Sequence, residues 1–374
     1  MTNILPAIAC NLDIHLLQAS IPLFAEEKVQ AIEWSFDTLF KVRDIPGWFV
    51  ELLETFGKEG RLVGHGVFFS LFSGKWSPEQ SDWLRRLERM SKHFSFDHVT
   101  EHFGFMTGAD FHKGAPISIP FNDTSLAIGQ DRLKRIFNAC QCPVGLENLA
   151  LAYSLEEVKR HGEFLHRLIE PVNGFIILDL HNLYCQLHNF AVDFSEIIEL
   201  YPLDRVREIH ISGGSWESSQ ISPGTIVRRD THDEQVPPEV FELLKKAIPL
   251  CPNLKFVVLE QLGTALTTAE NQERFRTDFY EMEKIIAPFD PVKKTMNNFL
   301  PNDIFELSGP LENIQLFEQQ MELSAILENS TNYQEVHEKM HSSSLVNSDW
   351  EIGKWEPKML ETVYRIAQKW KSGF

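Results

Sequence analysis

With 374 residues, 43% of them hydrophobic and 24% charged, the chain has the material for one large packed core, and disorder is excluded for most of it. A formal charge of -18, from 53 acidic against 35 basic side chains with no block of Lys or Arg, repels a phosphate backbone and excludes nucleic acid as a partner. The opening "MTNILPAIACNLDIH" lacks a cationic signal region and no run of 18 apolar residues occurs, which argues against secretion and against a membrane partner.

Eight short apolar runs follow one another along the chain: "AIAC", "AIEWSF", "RLVGHGV", "FDHVTEHF", "CPVGLENL", "FIILDL", "VREIHIS" and "KFVVLEQL". Amphipathic stretches such as "SPEQSDWLRRLERMSKHF", "GQDRLKRIFNAC", "SLEEVKRHGEFLHRLI", "FSEIIELY" and "PPEVFELLKKAI" alternate with them, apolar at i, i+3, i+4 and i+7. Apolar strands joined by helices predict a parallel sheet, and eight such units predict a closed α/β (β/α)8 TIM barrel. A doubly wound open sheet is the fallback, but no G-x-G-x-x-G follows the first strand. After about residue 294 helical periodicity continues without further buried strands. The expected division is therefore a catalytic, metal-binding barrel over 1–293 and a helical C-terminal extension over 294–374, serving as a cap or a docking module, with "HSSSLVNSDWEIGKWEP" as a loop. Five cysteines, Cys10, Cys140, Cys142, Cys185 and Cys251, are odd in number and lack a framework spacing, which points to reduced thiols and a cytoplasmic protein.

Strands three to eight each finish on a metal-ligand type: His65 in "GHG", His102 in "TEHFGF", Glu147 in "LENLA", Asp179 with Asn182 one turn on, His210 in "EIHISGG" and Glu260 in "VVLEQLG". "RRDTHDEQVP" after strand seven adds Asp230 and His232. In a barrel all C-terminal strand ends meet on one face, so these side chains can share a pocket. A lone histidine at a strand end is more often a satisfied core residue than a ligand. A carboxylate after four apolar residues, as at Asp179 and Glu260, is different, because burying it unpaired costs several kcal/mol. The neighbouring strand ends offer carboxylates and imidazoles rather than Arg or Lys, so multivalent cations are the economical counter-charge. Imidazole plus carboxylate without thiolate suits iron, manganese or zinc, and nine donors exceed what one ion binds. Glu147, central in the strand order, is the candidate bridge, and Glu147, Asp179 and His210 are the candidate catalytic residues. Arg228 and Arg229 flank the ligand loop as a candidate carboxylate clamp or a solvated pair. Cys185 is read as packing, and Trp34, Phe68, Phe69 and Phe103 as lining the barrel or its mouth.

The order His, His, Glu, Asp with a partner three residues on, His, Asp-x-His, Glu resembles the trinuclear site of endonuclease IV in the xylose isomerase-like TIM-barrel superfamily, where that partner is a His rather than Asn182. The words "GHGVFFSL", "TEHFGF", "GLENLA", "LDLHNLYCQLHN", "EIHISGG", "DTHDEQVP" and "LEQLG" resemble, over roughly residues 1 to 290, the multinuclear non-haem iron-dependent oxidative enzymes (MNIO, MbnB-like) of the same superfamily. "LDLHNLYCQLHN" departs from that family's form, which has Asn at the position of His181 and ends Asn-His instead of His188-Asn189. The resemblance implies one iron on His65, His102 and Glu147 and a second on Glu147, Asp179, His210 and Glu260, with Asn182, Asp230 and His232 holding a third metal or completing the cluster. It implies an oxidase with two or three irons, Fe(II) and Fe(III), and dioxygen as co-substrate, acting on a ribosomally made precursor peptide, often at cysteine, with a peptide-delivering partner protein as a further candidate. In the chemistry so implied, a ferric ion binds the substrate thiolate and a neighbouring ferrous ion activates dioxygen for hydrogen abstraction at the β-carbon. The rival readings are a zinc phosphodiesterase like endonuclease IV, a divalent-metal sugar isomerase, and a metal-storing or peptide-binding protein without catalysis.

Overall fold

The computed structural model describes residues 4–42, 44–108, 113–289 and 297–372. Each apolar run forms a strand of four to six residues buried on both faces, and hydrogen bonding closes the eight into a parallel barrel. They are β1 (Leu5–Ala9), β2 (Ala31–Trp34), β3 (Leu62–Gly66), β4 (His98–His102), β5 (Val144–Glu147), β6 (Phe175–Asp179), β7 (Val206–Ile211) and β8 (Phe256–Leu259). β1 pairs with both β2 and β8, so no edge is left open. The (β/α)8 expectation holds and the open-sheet fallback does not.

Alternation along the strands separates two apolar layers. Ile176 and Leu178 of β6 join the large core between sheet and helices, whereas Ala7, Ala31, Val63, Phe256 and Val258 form a small cluster of their own. Phe175 and Phe256 meet the ring of His98 at 4.6 and 5.5 Å, so the barrel interior already contains an imidazole below its rim.

Several helices start on side-chain caps. Ser77 and Gln80 form a capping box ahead of α3 (Pro78–His93), and Ser154 caps α5 (Leu155–Ile169). "GQDRLKRIFNAC" is the later part of the longer α4 (Asp123–Cys140). "FSEIIELY" is helical only over Phe194–Ile198, because the following Tyr201-Pro202 pair disfavours helical backbone at Tyr201. "LDLHNLYCQLHNF" is strand end and helix at once: β6 stops at Asp179, whose side chain caps α6 (Leu180–Phe190).

The last helices are α10 (Ile314–Asn329), α11 (Tyr333–Ser342) and α12 (Pro357–Trp370), with only 3-10 turns at Ser344–Asn347 and Ile352–Lys354 in the stretch read as a loop. The boundary expected at 293/294 lies outside the described residues. These helices share one hydrophobic cluster with the barrel: Leu323, Val336, Met359 and Val363 belong to the same core as Leu146 and Leu165. Polar contacts add to it, with Gln320 bonding Gly74 and Phe72 main chain at 2.8 Å and Trp355 stacked on Tyr153 at 3.6 Å. Among the described residues no helix is long and apolar enough to cross a membrane.

Candidate metal centre

Parallel strands of similar length end on one rim, and that rim gathers the side chains singled out in the sequence. His65 Nε2 lies 3.1 Å from His102 Nε2 and 3.5 Å from Glu147 Oε2, and His102 Nε2 lies 3.2 Å from the same oxygen. On the other side of Glu147, its Oε1 is 3.7 Å from His210 Nδ1, which is 3.2 Å from Glu260 Oε2. Two clusters result, His65–His102–Glu147 and Glu147–Asp179–His210–Glu260, in each of which one ligand atom per residue lies within 4.8 Å of all the others. Donors sharing an ion with bonds of about 2.1 Å stand roughly 3 to 3.5 Å apart, so these spacings match donor sets and Glu147 belongs to both.

Hydrogen bonds behind the rim decide which nitrogens are free. The Thr100 hydroxyl donates to the Gly64 carbonyl and so accepts from His65 Nδ1 at 2.8 Å, which leaves a lone pair on His65 Nε2. Burial, and then His102 beside it, lower the pKa of His65 to about 4. For His102, burial opposes the charged form but Glu147 outweighs it and raises the pKa. Glu147 is held well below the carboxylate range by His102 and His210, against the burial that opposes its ionisation. Asp179 goes the other way, pushed well up by burial and by Glu147. Among the described residues Asp179 Oδ2 and Asn182 Oδ1 are buried without a hydrogen-bond partner, and His210 Nδ1 has only its contacts with Glu147 and Glu260. Orphaned acceptors beside a ring of carboxylates and imidazoles fit cations, which would offset the mutual repulsion of the carboxylates.

The remaining donors approach from loop and helix. Asp230 Oδ1 accepts from His232 Nε2 at 2.8 Å, and His232 Nδ1 lies 3.7 Å from Glu260 Oε2. His232 adopts left-handed backbone at φ 51°, a conformation that costs a non-glycine residue energy and that its carbonyl, bonded by Leu262 N–H at 2.9 Å, helps to hold. Asn182 stands nearer Glu147, its Nδ2 donating to Glu147 Oε1 at 3.3 Å and to the Asn148 carbonyl at 2.8 Å.

The departures in "LDLHNLYCQLHN" also find their places. Arg228 Nε donates to His181 Nε2 at 3.1 Å, and an arginine never accepts, so His181 carries its proton on Nδ1 and gives it to Asp230 Oδ1, also at 3.1 Å. Asn189 clamps the Arg228 backbone, accepting its N–H at 2.8 Å and donating to its carbonyl at 3.0 Å, while His188 packs on Trp216 outside the cluster. Arg229 is tied to Glu217, and Cys185 is buried with its thiol pushed well up by burial. Of the four aromatic residues, Phe68 and Phe103 line the cavity over the site, whereas Trp34 and Phe69 pack in the core.

Sequence reasoning missed Glu33 and Glu208. Both are fully buried and flank His210 Nε2 at 3.0 and 3.1 Å, and with His210 they form a third group of clustered ligand types. Each is a buried carboxylate within its strand rather than at the end of an apolar run, so the signal that identified Asp179 and Glu260 did not apply to it.

Above the rim is a cavity of about 710 Å³. Its floor includes His65, His102, Glu147 and Glu260, and α12 supplies a wall through Met359, Thr362, Ile366 and Trp370. Pockets of roughly 300–1,000 Å³ suit a small molecule or a few residues of a peptide.

Residues 26–269, which include all nine rim donors, match the model of a family described as RiPP precursor modification enzyme MbnB/TglH/ChrH. The chain belongs to that family. Members of the MbnB/TglH/ChrH family modify ribosomally made peptides, and the fold is that of the xylose isomerase-like barrels. Among related sequences, a UPF0276 protein of Caulobacter vibrioides is 25% identical over 185 residues, 49% of this chain and 62% of that protein. The UPF0276 protein AM1_3026 of Acaryochloris marina is 26% identical over 191 residues, 49% of this chain and 64% of that protein. The matched region thus spans less than two thirds of either relative. Among solved structures, the IolI protein with a bound zinc atom aligns at TM-score 0.52 and 11% identity over 77% of this chain and 100% of that one. A xylose isomerase domain protein from Planctomyces limnophilus aligns at TM-score 0.51 and 13% identity over the same shares. At these identities both similarities establish the fold alone.

Proposed function

We propose that the chain is a multinuclear non-haem iron oxidase that uses dioxygen to modify a residue, cysteine in first place, of a ribosomally made precursor peptide. The observation that carries this reading is the sharing of Glu147 between two donor clusters on the floor of a peptide-sized cavity. In it His65, His102 and Glu147 hold one ion, Glu147, Asp179, His210 and Glu260 a second, and Asp230 and His232 with Asn182 a third. The donors are nitrogen and carboxylate oxygen without thiolate, a set that accepts iron and leaves a thiolate position to the substrate. Bound iron would supply thiolate binding and dioxygen activation.

The protein's own groups do the rest. Thr100 and the Gly64 carbonyl keep His65 Nε2 free to ligate. Asn148 braces the Asp179 main chain, accepting its N–H at 2.7 Å and donating to its carbonyl at 3.1 Å, and the Asn182 N–H holds the carboxylate itself by donating to Asp179 Oδ1 at 2.5 Å. Phe68, Phe103, Met359 and Ile366 give the cavity apolar walls that exclude water around the reacting side chain. His181, neutral and pinned by Arg228, orients Asp230.

The test is co-expression with any short cysteine-bearing reading frame found beside the gene, with mass spectrometry of the peptides and elemental analysis of the protein. Two to three irons per chain and a dioxygen-dependent change in peptide mass are expected. Full occupancy by zinc alone with unchanged peptides would overturn the oxidase and favour a hydrolase.

A further inference from the structure

The rim donors do not account for the ionisable groups beneath them. The interior of an eight-stranded barrel is normally filled with branched apolar side chains. Here Glu33, His98, Glu208 and His210 occupy it, all fully buried. Three of them form a line with Glu33 beside its end: His98 Nε2 lies 2.5 Å from Glu208 Oε2, and Glu208 Oε1 lies 3.1 Å from His210 Nε2, which Glu33 also meets at 3.0 Å. At its lower end His98 Nδ1 is 3.0 Å from Asp97, whose carboxylate is held by Arg207 at 2.7 Å and by Lys255. At its upper end His210 Nδ1 faces Glu260 and Glu147.

The proton on His210 is fixed by what surrounds Nε2. Arg207 Nε donates to His98 Nδ1 at 3.3 Å, so His98 Nε2 carries its proton to Glu208, and the other oxygen of that acceptor takes the His210 Nε2 proton at 3.1 Å, which leaves Nδ1 for a cation. The two carboxylates beside Nε2, Glu33 and Glu208, are not equivalent. Glu208 is braced from β4 by His98, whereas among the described residues neither oxygen of Glu33 has a hydrogen-bond partner besides its ion-pair contact with His210. Glu208 also sits two residues before His210 on β7, so the same strand that delivers the ligand delivers its acceptor.

We propose that Glu208 is a positioning residue of the metal centre, accepting from His210 Nε2 so that the imidazole presents Nδ1 to the ion shared with Glu147 and Glu260, while His98 and Asp97 fix the Glu208 carboxylate. This rests on the metal reading above. It predicts that a residue which never touches a metal controls one site of the cluster and not the others.

The experiment uses Co(II) as probe on metal-free full-length protein, with visible absorption and calorimetry as readouts and circular dichroism as the folding control. Wild type, Glu208→Leu, Glu208→Gln and Glu147→Ala are compared. The expected result is a loss of about 10- to 100-fold in affinity at one Co(II) site in Glu208→Leu, with an altered ligand-field spectrum. Glu208→Gln, which keeps one acceptor oxygen, is expected to fall between that variant and wild type. Folded Glu208→Leu with the wild-type spectrum and affinity would overturn the proposal. Should that variant not fold, a wild-type spectrum in Glu208→Gln would overturn it instead. Loss of metal in Glu147→Ala alongside an unaffected Glu208→Leu would leave the metal reading standing and remove only the positioning role. Failure of wild type to bind Co(II) would remove both. Anomalous scattering from an ion lodged between Glu33 and Glu208 would also overturn the proposal, since Nε2 would then be a ligand rather than a donor.

Discussion

The Thr100 hydroxyl stands 2.8 Å from His65 Nδ1, on the side of the ring away from the cavity, and this contact determines which nitrogen His65 turns to its neighbours. With Nδ1 donating, the lone pair on Nε2 meets His102 Nε2 at 3.1 Å, a separation that needs a proton or a cation between them. The arrangement recurs at His210, where Glu208 and Glu33 take the distal proton. Thr100→Val keeps the shape and removes the acceptor. Metal affinity at the His65–His102–Glu147 site is expected to fall about tenfold, with stability changed by roughly 1 kcal/mol. Equilibrium dialysis with Fe(II) checks this, and wild-type affinity would count against it.

Metal loading should release protons. Against the burial that opposes their charged forms, Glu147 raises His102, Glu33 and Glu260 raise His210 well above the ordinary imidazole range, and Asp230 does the same for His232. Imidazoles raised well above the ordinary range, as His210 and His232 are, hold the proton at neutral pH in the metal-free protein, whereas a ligating imidazole is neutral. Affinity is therefore expected to rise with pH, and calorimetry in buffers of different ionisation enthalpy should report at least about two protons released per loaded chain. Heats independent of the buffer would contradict this.

His161 makes a separate prediction about stability. It is buried, accepts from the Leu149 N–H at 3.3 Å, and burial lowers its pKa from 6.5 to about 3. Between those values the unfolded chain binds a proton that the folded chain refuses, so stability is present above pH 6.5 and is lost as pH falls toward 3. Urea unfolding across that range should show His161→Gln losing less stability with acid than wild type, by up to about 1.4 kcal/mol per pH unit. Parallel profiles for the two proteins would refute it.

The C-terminal helix is tied to the ligand loop by a small ion network. Arg365 of α12 bonds Glu217 and Glu361, and Glu217 also holds Arg229, next to Asp230. Arg365→Ala is expected to cost about 1 to 2 kcal/mol, discounted for its partial exposure, and to speed amide exchange over 226–232. Unchanged exchange there would mean that α12 only walls the cavity.

Most of this was legible in the sequence for a definite reason. Strands buried on both faces leave continuous apolar runs, and a charged residue ending such a run stands out, as Asp179 and Glu260 do. Glu33 and Glu208 escaped because each sits inside its run, where "AIEW" and "VREIHIS" read as ordinary strand. The cost of burying a lone carboxylate applies equally at a strand's middle, and asking where each one finds its counter-charge would have found them. The sequence left the C-terminal extension open between a cap and a docking module, because the contacts of α12 with the cavity and with Glu217, more than a hundred residues away, are set by tertiary packing and not by local periodicity.

Anomalous diffraction at the iron edge, on crystals of protein loaded with Fe(II) without oxygen, tests the central claim most directly. The account predicts one peak among His65, His102 and Glu147 and a second among Glu147, Asp179, His210 and Glu260, with Glu147 between them. Density confined to other parts of the molecule, or no iron at the rim at all, would contradict it.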